Sequence, residues 1–188
     1  MGKVLYGIRK VYVAKITEAS DGTISYGTPF AVEGAVGFSP EPQGDTSTFY
    51  ADDKIYYRRE QNNGYEGDLE LAVTPDTFLT QILGRKVDSN GAVVENADDK
   101  FARFALMFEG EGDPNNRRYI YWDCTAGRPN REHATTEDSL EVGTETLTIS
   151  IAPRSTDNAI GAFIERTEEN ASVYDGWFSA VYESDLSL

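Results

Sequence analysis

The sequence predicts a mainly β protein with one short helix. Three observations support this fold class. Aromatic residues that favour strands are abundant, with 11 tyrosines and 9 phenylalanines among 188 residues. Several segments alternate apolar and polar residues, which is the pattern of a strand with one wet face. Only one segment combines helix-capping residues with helical apolar spacing. The length is sufficient for one domain with its own core.

The N-terminal part of the chain predicts a hairpin and a further strand. Residues 11–16 are β-branched and aromatic, and an Asp-Gly turn separates them from residues 24–26, so we expect an opening hairpin. Residues 34–42 predict the next strand. Because proline cannot donate to a ladder, we expect its two prolines to end the strand at an edge or a loop.

Residues 46–59 contain a dense aromatic cluster. Aromatic pairs lie on both sides of an Asp-Asp-Lys turn, which predicts a hairpin or a long ordered loop. Core packing and stacking on sugars or bases are alternative roles for these rings. Carboxylates and arginines are interspersed with them, however, and this mixture is more typical of an interface than of a closed core. The candidate subunit contacts are therefore Phe49, Tyr50, Asp52, Asp53, Tyr56, Tyr57, Arg58 and Arg59.

A strand and the predicted helix follow directly. In residues 65–73, Tyr, Gly, Leu, Leu and Val alternate with Glu, Asp, Glu and Ala, so they predict a strand with one wet face. The helix is expected to have Thr74 as its N-cap, Pro75 at its first position and Gly84 at its end. Its apolar residues share one side, so the helix should be half buried.

The second half of the chain predicts more strands. Residues 88–91 form a turn signal, and residues 101–109 and 118–125 predict the antiparallel pair richest in aromatic residues. Residues 145–151 give the clearest alternation in the chain. The apolar spacing of residues 154–188 fits short strands or a brief helix and leaves this segment undecided.

Composition excludes several classes of function. With 17 basic and 32 acidic side chains the formal charge is −15, which repels phosphates and argues against a DNA-binding partner. No segment has the length of a membrane span or the pattern of a signal peptide, so we expect a protein that stays in the cytosol. One cysteine and one histidine are too few for a disulfide or a zinc cluster.

No enzyme motif is present. The acidic pairs Asp52-Asp53, Asp98-Asp99 and Glu168-Glu169 join adjacent residues, which point to opposite faces of a strand or are solvated in a turn. No nucleophile elbow accompanies His133, and Cys124 is expected to be a buried, inert residue. We therefore predict no catalytic, cofactor-binding or metal-binding residues.

Several ordered motifs carry a resemblance to a known family. They are Thr48-Phe49-Tyr50-Ala51-Asp52, Asn63-Gly64-Tyr65-Glu66-Gly67-Asp68-Leu69-Glu70-Leu71, Pro75-Asp76-x-Phe78, Phe104-Ala105-Leu106, Arg118-Tyr119, Cys124-Thr125-Ala126-x-Arg128-Pro129 and Glu145-Thr146-Leu147-Thr148-Ile149. In these motifs, and over residues 5–155, the chain is similar to the major tail proteins (tail tube proteins) of siphophages infecting Gram-positive bacteria. None of the motifs is a chemical signature, so the resemblance rests on their order and spacing.

The resemblance implies a phage tail-tube fold, in which two packed antiparallel sheets form a barrel-like β-sandwich with one flanking helix. It implies a single domain over residues 1–188, with a long inter-strand loop at about 45–63 and a C-terminal segment, 154–188, of uncertain structure. Hexameric rings would stack into a tube whose acidic bore conducts DNA during ejection without binding it. In such tubes the inner sheet extends from subunit to subunit, and the long loop makes ring-to-ring contacts.

The partners implied are further copies of the chain and the tape-measure, terminator and distal tail proteins. The location implied is the tail of the virion, with assembly in the host cytoplasm. Two other functions remain open on sequence grounds. A carbohydrate-binding β-sandwich would expose tyrosine and tryptophan beside carboxylates, and an acidic glycosidase would hold two carboxylates facing each other.

Overall fold

The computed structural model describes residues 7–51, 53–111, 116–131 and 143–185. Within these ranges it contains fourteen strands and two short helices. The elements are β1 (Ile8–Glu18), β2 (Ile24–Tyr26), β3 (Phe30–Ala31), β4 (Ala35–Gln43), β5 (Thr46–Ala51), β6 (Lys54–Glu60), β7 (Gly64–Leu71), α1 (Asp76–Gln81), β8 (Lys86–Val87), β9 (Val93–Val94), β10 (Phe104–Gly110), β11 (Arg118–Ala126), β12 (Asn130–Arg131), β13 (Glu145–Ile151), β14 (Gly161–Ile164) and α2 (Ala171–Asp175). The mainly β class is confirmed.

Ten strands form one antiparallel sheet in the order β2-β1-β10-β11-β13-β7-β4, with β3, β12 and β14 paired to the sides of this path. The sheet curls over its own core. The ring of Phe38 in β4 meets Phe108 edge-on at 5.7 Å and Tyr121 at 6.3 Å, although β4 is separated from their strands in the sheet. The two packed layers that the resemblance implied are present in part, since they face each other as regions of one continuous sheet.

Helix α1 and the concave face of the sheet form the main core. The core draws residues from six elements, and it comprises Val11, Val13, Val32, Leu69, Leu71, Phe78, Leu79, Ile82, Leu83, Phe104, Leu106, Cys124, Ala126, Leu147, Ile149 and Ile151. The odd-numbered residues of β7 and β13 therefore face inward and the even-numbered residues face outward. This assignment determines which side chains are available at the surface.

The predicted helix is present, but its start differs from the prediction. Pro75 is the N-cap, whereas Thr74 makes no side-chain cap and its backbone N–H donates to a carboxylate oxygen of Glu145 at 2.9 Å. Pro75 has an extended backbone, with φ −62° and ψ 143°, so the first helical residue is Asp76 and the helix begins one residue later than predicted. The end agrees with the prediction, because Gly84 has φ +72° and Arg85 N–H bonds back to Leu79 O at 3.0 Å.

The C-terminal segment forms a second layer on the outer face of β10 and β11. Strand β14 pairs with β11, and α2 is a second helix that the sequence did not resolve. The second apolar cluster is built on Met107, Ile120, Trp122 and Trp177, with Phe178 and Tyr182 among its flanking residues. The indole N–H of Trp122 donates to Tyr182 O at 2.8 Å, which fixes the end of the segment.

A buried carboxylate connects this layer to the sheet. Glu109 is 1% exposed and contacts Arg9, Lys10 and Arg118 at 2.6, 3.2 and 2.9 Å. The guanidinium of Arg118 also lies over the ring of Tyr174 at 3.8 Å and donates to the Tyr174 carbonyl. One charged cluster therefore joins β1, β10, β11 and α2.

Strand β4 differs from its prediction in one respect. The prolines at 40 and 42 were expected to end it, but the strand runs through both of them to Gln43. Proline is compatible with a strand that lies at the edge of a sheet, and β4 is the last strand in the sheet order. The expected edge is present and the expected ending is not.

Candidate assembly surfaces

The first candidate surface is the two-stranded ribbon formed by β5 and β6. Its strands pair from Thr46–Glu60 to Ala51–Lys54, which confirms the hairpin interpretation of this segment. The ribbon prolongs the β4–β7 pair beyond the end of the large sheet. Backbone bonds from Asn63 N to Gln43 O at 2.8 Å and from Gln61 N to Asp45 O at 3.0 Å continue the ladder into it.

The ribbon exposes a group of apolar side chains to solvent. Every residue of β6 is exposed, and Ile55, Tyr56 and Tyr57 are 60%, 78% and 58% accessible. The pairing register shifts here, since Tyr57 lies opposite Phe49 and Ile55 lies opposite Tyr50, so Tyr56 is the extra residue of a β-bulge. An isolated two-stranded hairpin is only marginally stable in water. Exposed apolar residues grouped in this way mark an interaction surface.

The structure brings together several of the predicted contact residues on the ribbon. Arg58 and Arg59 follow the tyrosines in β6, and Arg58 forms an exposed ion pair with Glu60 at 3.3 Å. Asp53 occupies the turn with φ +58°. The backbones of Phe49 and Tyr50 lie in β5, whereas the side chains of these two residues and all of Asp52 are outside the described residues. The role of these eight residues in contacts between subunits stays a prediction.

The second candidate surface is a row of carboxylates on the outward face of β4, β7 and β13, which we call the acidic lane. On β7 the outward residues are Glu66, Asp68 and Glu70. They lie opposite Glu41, Ser39 and Gly37 of β4 and opposite Ser150, Thr148 and Thr146 of β13. The opposite face of the same strands forms the main core, so the lane is the only side of them that is open to solvent.

Hydroxyl groups accompany the carboxylates of the lane, and no cation of the described residues pairs with them. Thr148 and Ser150 donate to Asp68 and Glu66 at 2.9 and 3.2 Å, and Thr144 donates to Glu70 at 2.6 Å. Among the described residues, none of the four lane carboxylates forms an ion pair. Glu41 and Glu66 are direct cross-strand neighbours, an arrangement that is destabilising for like charges. The lane is thus a surface of uncompensated negative charge.

Sequence reasoning predicted acidic residues in a bore but did not identify them. The alternation in residues 65–71 separates two faces without showing which one is covered. The signal that was available is the row of leucines at odd positions, which the core requires. If the leucines face the core of the subunit, Glu66, Asp68 and Glu70 must lie on the solvent face of the strand.

The residues considered for catalysis show no active-site arrangement. Cys124 is buried in the core, and burial raises the pKa of its thiol, so it is not a thiolate nucleophile. Asp98 and Asp99 lie in a surface turn, and Glu168 and Glu169 are exposed. His133 falls outside the described residues. Within the described ranges, no group of His, Cys, Asp and Glu residues has the geometry of a metal site, and no helix is long and apolar enough to span a membrane.

An aromatic cleft of about 390 Å³ lies where β14 approaches the start of β7. Its lining includes Tyr65, Tyr119, Tyr121, Phe163, Asn62 and Asn158. Burial raises the pKa of Tyr121 to about 12, so its hydroxyl stays protonated at neutral pH. No carboxylate is among the described residues that line this cleft. It therefore lacks the acidic groups that a carbohydrate-binding site was expected to place beside its rings.

Comparison with known proteins gives one family. Residues 2–162 match the family described as "Phage tail tube protein". No curated protein matches the chain.

Several solved structures resemble the chain at low similarity. The cap of the anti-feeding prophage tube has 11% identity and a TM-score of 0.46, covering 87% of this chain and 94% of its own. The sheath-tube complex of an extracellular contractile injection system has 11% identity and a TM-score of 0.45, with 86% and 93% coverage. The anti-feeding prophage baseplate has 10% identity and a TM-score of 0.38, with 85% and 96% coverage. The family assignment rests on the sequence match alone.

Proposed function

Since the chain belongs to the phage tail tube protein family, whose role is structural and not enzymatic, we propose that it is the tube subunit of a siphophage tail. In this proposal the chain forms hexameric rings that stack into a hollow tube. The acidic bore of the tube conducts DNA during ejection. The observation that carries the proposal is the acidic lane, an uncompensated row of carboxylates on the open face of the main sheet.

The lane has the properties that a DNA conduit needs. A wall of carboxylates without cations repels phosphates and offers them no ion pair. At physiological salt the repulsion between carboxylates and phosphates is screened beyond about 8 Å. It therefore keeps the DNA from touching the wall of the tube, and it does not oppose movement of the DNA along the bore. The hydroxyls beside the carboxylates hold them in place through hydrogen bonds. The pair of Glu41 and Glu66 on neighbouring strands lowers the stability of the isolated subunit. A function in repelling DNA explains why two carboxylates occupy these positions.

The ribbon supports stacking of rings. A six-residue strand spans about 20 Å, so β5 and β6 extend well beyond the sheet. A contact between such a projection and a different surface of the next copy is heterologous, and a heterologous contact that does not close into a ring builds an open polymer. Burial of Tyr56 and Tyr57 against the next ring would remove their exposed apolar area from water.

The remaining parts of the proposal concern partners and location, and they rest on the resemblance of the sequence motifs to siphophage tail proteins. The tube subunit would meet the tape-measure protein inside the bore and the terminator and distal tail proteins at its ends. Its location would be the virion tail, after assembly in the cytoplasm of a Gram-positive host.

The direct test is assembly of the purified chain. We expect concentrated protein to form rings or hollow tubes in negative-stain electron microscopy and to sediment as a concentration-dependent polymer. A folded chain that stays monomeric at every concentration, also when seeded with tail tips, would contradict the proposal. A glycan-binding screen, with Tyr119→Ala in the aromatic cleft as a control, would then test the carbohydrate-binding alternative.

The bore assignment has its own test. Tubes of Glu66→Lys/Asp68→Lys should retain double-stranded DNA at low salt, whereas wild-type tubes should not. The matched control is Glu168→Lys/Glu169→Lys, which changes the net charge equally at exposed positions outside the lane. Equal DNA retention by both variants would show that the lane does not face the bore.

A further inference from the structure

The free edge of β4 has an unusual hydrogen-bonding capacity. β4 pairs with β7 on one side, and no other described strand pairs with its second side. In the proposed ring this edge borders the acidic lane, because Ser39 and Glu41 of β4 belong to the lane. Unpaired strand edges bind other strands unless something prevents it.

The register shows which backbone groups face this free edge. In an antiparallel pair, residues alternate between those that bond to the partner strand and those whose N–H and C=O point away. Gln43 O accepts from Asn63 N, so Gln43 faces β7, and by alternation Glu41 and Ser39 face β7 as well. The backbone groups of Phe38, Pro40 and Pro42 therefore point to the free edge.

Proline has no N–H, so this edge is almost without donors. Over residues 38–42 it presents three carbonyls and a single N–H, that of Phe38. Strand β7, which pairs with β4, has a glycine opposite one of the prolines. A Cβ at Gly67, which lies opposite Pro40, would be 2.5 Å from the Pro40 Cα and 2.3 Å from Ser39 O. Glycine at this position lets β7 approach the proline-containing strand closely.

We infer that the β4 edge, where prolines occupy two of the three donor positions, excludes a regular paired strand from a second copy of the chain. The inference rests on the proposed function in that the second copy is the neighbour in the ring. The backbone N–H is missing at two successive outward-facing positions, Pro40 and Pro42. A strand placed against this edge would therefore lack two of the backbone hydrogen bonds of a regular ladder. Side-chain amides, ammonium or guanidinium groups of the neighbour can still donate to the three carbonyls.

This edge therefore departs from the picture of an inner sheet that continues from subunit to subunit by strand pairing. The prolines keep copies from joining edge to edge along β4 before the ring forms. In the ring, the boundary beside the lane is made by side chains or loop N–H groups of the neighbour.

The test restores the donors with Pro40→Thr/Pro42→Thr and measures self-association by sedimentation velocity at a concentration where wild type is monomeric. We expect association at least about tenfold stronger than that of wild type, because two backbone hydrogen bonds become available. The matched control, Pro29→Thr/Pro153→Thr, changes two prolines outside β4 and should behave as wild type. Association equal to that of wild type and the control would overturn the inference.

Circular dichroism establishes that the variants are folded. If the double variant does not fold, Pro42→Thr alone, at an exposed position, restores one donor and should still associate more strongly than wild type. The comparison uses dilute protein, so it does not depend on tube formation. Failure of wild type to form tubes would affect the proposed function, and failure of the proline variants to associate would affect only the edge.

Discussion

The ribbon β5–β6 and the pair β10–β11 are both antiparallel and rich in aromatic residues, yet one is open to solvent and the other is covered on both sides. Every residue of β6 is exposed, whereas every residue of β10 except the half-buried Phe108 is buried. The difference lies in what surrounds them. The curled sheet covers the inner face of β10–β11 and the C-terminal segment covers its outer face.

The comparison shows that aromatic content predicts a strand but not the partner that covers it. In β10–β11 the partner is within the chain, so the aromatic residues stabilise the fold. In the ribbon we propose that the partner is another copy, so the aromatic residues stabilise the assembly. Substitutions in the two regions should therefore affect different measurements.

The largest expected effect is in the outer layer of β10–β11. Trp177 is 2% exposed, stacks on Tyr182 at a centroid distance of 4.9 Å and donates its indole N–H to Tyr119 O at 3.3 Å. Trp177→Ala should lower the free energy of unfolding by about 3–5 kcal/mol, because it leaves a large cavity. Urea denaturation measures this value, and a loss below about 1 kcal/mol would mean that the C-terminal segment does not cover the sheet.

A somewhat smaller effect is expected at Glu109, beneath the same layer. Glu109→Gln removes the charge that compensates Arg9, Lys10 and the partly buried Arg118. We expect a loss of about 3 kcal/mol in the free energy of unfolding, since a buried cation without its partner is costly. The matched control is Glu111→Gln, which makes the same change at an exposed position in the adjoining turn and should have little effect.

The stabilisation by Glu109 should depend on pH. Burial raises the pKa of its carboxyl, but hydrogen bonds from Arg118 and Lys10 and the charge of Lys10 lower it by more, so the pKa lies below its ordinary value. A carboxyl whose pKa is lowered by folding stabilises the protein above its unfolded pKa, about 4.3, and loses this contribution as the pH falls through the folded pKa. The difference in unfolding free energy between wild type and Glu109→Gln should therefore shrink below about pH 4. A difference that is constant with pH would contradict this role.

The smallest effect on stability is expected in the ribbon. Tyr56→Ser/Tyr57→Ser should change the free energy of unfolding by less than about 0.5 kcal/mol, because both rings are exposed in the subunit. The same variant should lose tube formation at concentrations where wild type assembles, as measured by pelleting and electron microscopy. Val173→Ser, an exposed apolar residue outside the ribbon, is the control and should assemble normally. Normal assembly of the ribbon variant would remove the ribbon from the proposed ring-to-ring contact.

The periodicity of apolar residues predicted the elements that have one face on the core and the other in solvent. The alternation in β7 and β13 and the apolar side of α1 are visible in the sequence because each of these elements has one face on the core. The C-terminal segment stayed undecided because the surface that it covers, Met107, Ile120 and Trp122, lies far from it in the sequence. Helix and strand propensities carry no information on such a distant partner.

The candidate surfaces were predicted in part for the same reason. The mixture of rings and charges in residues 46–59 indicated an interface, and the structure shows the exposed ribbon that such an interface requires. The acidic lane depended on knowing which face of β7 is covered. The lack of backbone donors at the β4 edge could not be predicted, because it requires the register that turns Pro40 and Pro42 away from β7. Composition does not specify that register.

The most direct test of the account is a helical reconstruction by cryo-electron microscopy of tubes assembled from the pure chain. We expect Tyr56 and Tyr57 to be buried between successive rings and Glu66 and Asp68 to face the bore. A tube in which the ribbon remains in solvent and the rings meet through other surfaces would contradict it.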